Sequence, residues 1–89
     1  MPSYSYNSNA AIIKQGKLLV TREKGRRLYL LPGGGIETGE NSSQALTLEL
    51  GEELGISVNK DNLEFIGELS TPSAGRKTVR KTHLFLVKD

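Results

Sequence analysis

Glu49, Glu52 and Glu53 are the residues of this 89-residue chain whose types and spacing point most directly to chemistry. At offsets of zero, three and four, and about 100° per residue, their side chains fall in one helical sector about 100° wide. Carboxylates at these spacings repel one another, and no Lys or Arg lies between Glu37 and Asn59 to relieve them. Hard divalent cations choose carboxylate oxygens as ligands, so bound Mg²⁺ would account for the cluster. The plain alternative is a solvated acidic helix face.

A helix from about Ser42 to Leu54 is needed to hold the three together. Asn41, followed three residues later by Gln44, has the form of a capping box with Asn as the cap. Leu46, Leu50 and Leu54 recur every fourth residue and form an apolar stripe centred about 100° from the carboxylates, so one edge packs while its neighbour faces a cleft. Gly55 suits a left-handed C-cap. Gly51, inside the helix, costs about 1 kcal/mol relative to Ala and has no functional explanation. Ahead of the helix, Pro32 and the glycines Gly33, Gly34 and Gly35 demand a sharp turn, because Pro cannot donate to a sheet ladder and Gly permits positive φ. These glycines would let backbone approach a metal and phosphates closely; a plain tight turn is the simpler reading.

The same stretch resembles the signature of Nudix hydrolases, G-x5-E-x7-R-E-U-x-E-E-x-G-U, in which U is a bulky aliphatic residue. Gly34, Glu40, Glu49, Leu50, Glu52, Glu53, Gly55 and Ile56 fall on it in register, behind a Leu-Pro-Gly-Gly approach, and Leu48 stands where the family has arginine. The resemblance implies an α+β fold, an α/β sandwich with a mixed β-sheet flanked by helices and the signature as loop, helix and loop. It further implies Mg²⁺-dependent hydrolysis, with Mn²⁺ as a substitute, of a diphosphate bond in a nucleoside diphosphate linked to another group. Glu52 and Glu53 match the family's most consistent metal ligands. Glu49 matches a position that ligates metal or acts as general base, and Glu40 matches an auxiliary ligand. Such a reaction rests on placing water in line with phosphorus and stabilising charge on the phosphoryl oxygens.

Two departures bear on this. Leu48 makes none of the hydrogen bonds with which the family's arginine is thought to orient the glutamates; it is expected to pack under the preceding loop, leaving metal binding intact and slowing turnover. Nudix domains also usually continue past a strand equivalent to His83–Val87 with more strands and a second helix. Residues 1–89 are therefore expected to form a single Nudix-like domain, incomplete at its C-terminal end or with its open sheet face covered in a homodimer. A competing function is a catalytically weak Nudix-like regulatory module that binds a nucleotide or nucleic acid. Leu48 and the short C-terminal half favour that reading, the intact glutamates oppose it, and nucleic acid is the less favoured partner.

A chain this short holds one domain with a modest core. With no cysteine it has neither a disulfide framework nor a thiolate metal site. No stretch has the form of a signal peptide or reaches transmembrane length, so a cytoplasmic protein without a membrane partner is expected. The net charge of +2 hides a segregation of +5 over residues 1–36, −7 over 37–68 and +4 over 69–89. Basic flanks around an acidic middle suit a site where metal sits and a polyanion arrives, or simply strands that balance an acidic helix. Arg22, at the end of an expected strand beside the glycines, has a guanidinium fork that suits a substrate phosphate. Arg76, Lys77, Arg80 and Lys81 are weaker candidates, and His83 reads as structural.

Around these residues, the first eight read as a frayed tail or edge segment. Asn9 to Arg22 reads as two strands about a Gly-containing turn, and Leu28–Leu31, Leu63–Leu69 and His83–Val87 as further strands, with Thr71 to Lys81 as a connection.

Overall fold

Helix α1 (Ser42–Leu54) forms between the capping residues that mark it in sequence. The computed structural model describes residues 3–72 and 77–88 of the chain. At its start, Gln44 N–H donates to Asn41 Oδ1 at 2.8 Å and Asn41 N–H donates to Gln44 Oε1 at 3.3 Å, which satisfies two otherwise orphaned donors. At its end, Gly55 takes φ 68° and its N–H donates back to the Gly51 carbonyl. Leu46 and Leu50 are fully buried against Ala10 and Phe85, each contributing about 1.5–3 kcal/mol by burial. Leu54 packs at the edge of this cluster, with Val58, Leu63 and Val87 beside it.

The sheet beneath has the order β4 (Gly33–Gly35), β1 (Ser3–Ala11), β6 (Thr78–Val87), β5 (Leu63–Pro72). The β1–β6 pair is parallel and the other two are antiparallel, so the sheet is mixed. The result is an α+β layer of sheet and helix, as the resemblance implied. A two-stranded hairpin, β2 (Ile13–Lys14) and β3 (Lys17–Leu18), turns at Gln15 and Gly16 with φ 54° and 74°. This is the expected hairpin in shorter form.

Four expectations are corrected. Residues 3–8 are not a frayed tail: all of them pair with β6, and β4 adds a second ladder at Asn7–Asn9, so that the edge reading holds only for the start of β1. Fully buried Ser8 donates its hydroxyl to the Ser42 carbonyl at 2.8 Å. The glycine run is a short strand paired to β1 rather than only a turn. Leu28–Leu31 forms no strand, since Leu30 makes a single bridge with Thr21. Most of Thr71 to Lys81 is ladder, because β5 runs to Pro72 and β6 begins at Thr78, where backbone partners on β1 and β5 outweigh the turn-like composition.

Side chains alternate across each strand. Tyr4, Tyr6, Ser8 and Ala10 lie on the α1 side of β1 with Lys81, His83 and Phe85 of β6, while Asn7 and Asn9 lie opposite with Arg80, Thr82 and Leu84.

Candidate active site

The glycine strand sits hard against β1. Ala10 N–H donates to the Pro32 carbonyl at 2.9 Å, and Asn9 Nδ2 donates to the Leu31 carbonyl at 3.0 Å. At Gly33, φ is 144° and a Cβ would overlap the Ser8 carbonyl oxygen, so both conformation and space exclude a side chain. The acidic edge of α1 lies over this strand. Glu53 Oε1 accepts from Gly33 N–H at 3.3 Å, and the Glu49 carboxylate rests on Gly34, where a Cβ would stand 2.7 Å from the carboxylate carbon. Gly35 has no comparable neighbour, its nearest being the Tyr6 carbonyl at 4.0 Å from a built Cβ. Gly33 and Gly34 thus belong to the close approach and Gly35 does not.

Glu49 is half-buried, and that burial, followed by the charges of Glu52, Glu53, Glu40 and Glu37, holds its carboxyl above the usual carboxylate value of 4.5. Glu37 is an addition to the residues picked out in sequence. Its position as the first acid after the glycines was the available signal. Glu40 Oε1 accepts from Glu37 N–H at 3.0 Å and Glu40 N–H donates to the Glu37 carbonyl at 3.0 Å, so Glu40 pins the loop.

The carboxylates fit a hard cation in kind, and the like charges around Glu49 are what a cation would relieve. They do not form a ready cage: among the described residues, no three carboxylate or imidazole groups converge closely enough to share an ion. Glu49 has turned onto Gly34, Glu53 onto the Gly33 N–H and Glu40 onto the Glu37 N–H, as mutually repelling groups do when backbone donors and space are at hand.

Arg22 is not among the residues that line the groove beside Gly33 and Gly34, although its neighbour Thr21 is. It is exposed, with its guanidinium 5.3 Å from the centre of the Tyr29 ring. Arg80, a weaker candidate in sequence, takes the expected place: it lines a groove of about 390 Å³ together with Gly33, Gly34 and Glu53, on the sheet face opposite α1. Strand alternation from Thr78 to Val87 was the signal that separates Arg80 from Lys81. Lys77 is exposed, Lys81 is on the α1 side, and Arg76 lies outside the described residues. Leu48 is 55% exposed rather than packed under a loop, because it lies on the side of α1 away from the leucine stripe. His83 is within β6, not at its start, and its Nε2 lies 2.8 Å from Glu68 Oε2. That contact agrees with a structural role.

A mixed sheet thus carries one packed helix whose acidic edge is laid on a glycine strand. The NUDIX domain pattern matches residues 7–88, and the chain belongs to the Nudix family. RNA pyrophosphohydrolases from Serratia proteamaculans and Proteus mirabilis are each 40% identical over 55 residues, which is 58% of this chain and 31% of theirs. The aligned part therefore spans about a third of those relatives. Among solved structures, the Escherichia coli ORF135 protein superposes with a TM-score of 0.78 at 28% identity, covering 99% of this chain and 63% of that one. The MutT NUDIX hydrolase of Burkholderia pseudomallei reaches a TM-score of 0.84 at 22% identity, over 98% of this chain and 68% of its own, and shows the shared fold.

Proposed function

We propose that this chain hydrolyses a diphosphate bond in a nucleoside diphosphate linked to another group, using Mg²⁺ or Mn²⁺ held by Glu49, Glu52 and Glu53, with Glu40 in support. The observation that carries this reading is the seating of Glu49 on Gly34 and of Glu53 on Gly33, where Gly33, Gly34 and Glu53 line the groove that also holds Arg80. When bound, the cation would offset charge on the phosphoryl oxygens and acidify a bound water. Glu49 stands where the family either ligates metal or takes the proton of the attacking water as general base. Gly33 and Gly34 leave room for phosphate beside the glutamates, and the Arg80 guanidinium supplies a fork for a phosphate oxygen from the opposite wall. Leu30, Leu31, Leu69 and Leu84 in the same groove suit the less polar part of a nucleotide. The same reading takes the chain to act in the cytoplasm as a homodimer.

A second reading, a nucleotide-binding module with little turnover, is favoured by Leu48, whose exposed apolar side chain gives the glutamates no hydrogen bond. Phosphate release from a panel of nucleotides, with and without Mg²⁺, separates the two. The panel includes 5′-phosphorylated RNA because the curated relatives are named for RNA. Metal-dependent release that is lost in the Glu52→Gln, Glu53→Gln variant supports hydrolysis. Saturable nucleotide binding without release supports the module.

A further inference from the structure

Beyond the N-terminus of α1, the helix-side face of the sheet is open, and aromatic rings stand on it. Tyr4 and Tyr6 of β1 are 53% and 44% exposed, and Phe65 of β5 is 54% exposed. Two residues apart on one strand, the tyrosines are spaced about 7 Å along one face. Between β1 and β5, strand β6 places Lys81 and His83 among these rings. Lys81 Nζ is 5.3 Å from the centre of the Tyr4 ring, and His83 meets Tyr6 and Phe65 edge-on at 6.2 and 5.6 Å. The one carboxylate in this row, Glu68, is already engaged by His83 at 2.8 Å and by Lys81 at 3.3 Å. The strip also connects with the acidic loop: Tyr6 and His83 form one side of a groove of about 490 Å³ whose other side is residues 36–42.

We propose that this face stacks the bases of single-stranded nucleic acid on Tyr4, Tyr6 and Phe65, with the backbone directed away from the acidic loop at Glu37 and Glu40. Exposed rings on a four-stranded sheet are a recurrent means of stacking two or three unpaired bases. Stacking is tolerant of sequence because every base has a π-face, so the rings carry the binding while Lys81 stays paired with Glu68. A protein partner fits less well. It would have to bury Lys81, His83 and Glu68 in the middle of the contact, and charged groups are depleted from interface cores because their desolvation is costly. A single strand leaves those polar ends in water while its bases cover the rings. The surface is separate from the groove that holds Arg80, which lies on the other face of the sheet.

Fluorescence anisotropy with a short, labelled oligoadenylate bearing a 5′-hydroxyl, measured in EDTA, tests the proposal. The probe has no diphosphate, so the outcome does not depend on whether the chain is a hydrolase. Saturable binding is expected, weakened about tenfold by Tyr6→Ala and by Tyr4→Ala and retained by Tyr6→Phe, with circular dichroism showing that each variant is folded. RNA and DNA forms of the probe should both bind, and tighter binding of RNA would add a 2′-hydroxyl contact to the stacking. The proposal is overturned if neither probe binds, or if both Ala variants bind as tightly as the parent. It is equally overturned if light scattering shows a dimer that Tyr6→Ala dissociates, since the rings would then be an interface between copies.

Discussion

At the scale of single residues, the site depends on two glycines for different reasons. At Gly33 an added Cβ meets β1 backbone in a conformation that L side chains rarely adopt, and Gly33→Ala should cost about 1–3 kcal/mol of stability or more. At Gly34 the obstacle is the movable end of the Glu49 side chain, 2.7 Å from where the Cβ would stand. Gly34→Ala should therefore leave stability within about 1 kcal/mol of the parent while lowering metal-dependent hydrolysis by roughly 10 to 100-fold. Urea unfolding and phosphate release on the two variants check the contrast, and equal stability losses would refute it. Glu49 adds a pH signature. Its pKa is raised in the fold, so the native state holds the proton longer than the unfolded chain, and stability falls as pH rises from 4.5 through the folded value. In EDTA, Glu49→Gln should be the more stable protein at neutral pH, and its advantage should close on acidification below 4.5. An advantage independent of pH would assign the effect to packing instead.

At the scale of elements, α1 was legible almost residue by residue because its signals are local. Asn41 with Gln44, the leucine repeat and Gly55 each act within a few positions of themselves. β1 was not legible. Ser3 to Asn9 looks like a tail until β6, distant in sequence, pairs along all of it and β4 adds a second ladder at Asn7–Asn9, and Ser8 is tolerated in the core because the Ser42 carbonyl accepts its hydrogen bond. The site divides along the same line. Glu49 and Glu53 followed from helical spacing, whereas exchanging Arg22 for Arg80 required knowing which face β6 turns toward the glycines. Gly51 was unexplained in sequence and is unexplained by packing, since a Cβ there would meet only the Ile56 carbonyl at an unstrained 3.9 Å. Gly51→Ala should then stabilise the protein by about 1 kcal/mol and raise the melting temperature by about 4–8 °C. A scanning calorimetry trace with no increase would show that the helix needs a glycine there.

At the scale of the whole molecule, the described elements make two layers, one sheet and one helix, in a body with extents of 41 × 32 × 22 Å. A compact chain of this length would have a radius of gyration of about 12 Å, and the value here is 13.5 Å. The excess goes with apolar side chains left on the outside: Leu28, Tyr29, Leu30 and Leu69 are 71%, 62%, 60% and 58% exposed. At about 25 cal/mol per Å², covering several such side chains is worth several kcal/mol, comparable with the total stability of a small domain. A twofold contact between copies is the commonest way to bury a self-complementary patch. Light scattering across a concentration series should accordingly show a mass rising from 9.7 kDa toward the dimer, and Leu28→Lys should shift the equilibrium back toward monomer. Leu30 and Leu69 also line the groove beside Gly33 and Gly34. A mass held at 9.7 kDa over the whole series would assign these two leucines to nucleotide binding alone and remove the dimer from the reading.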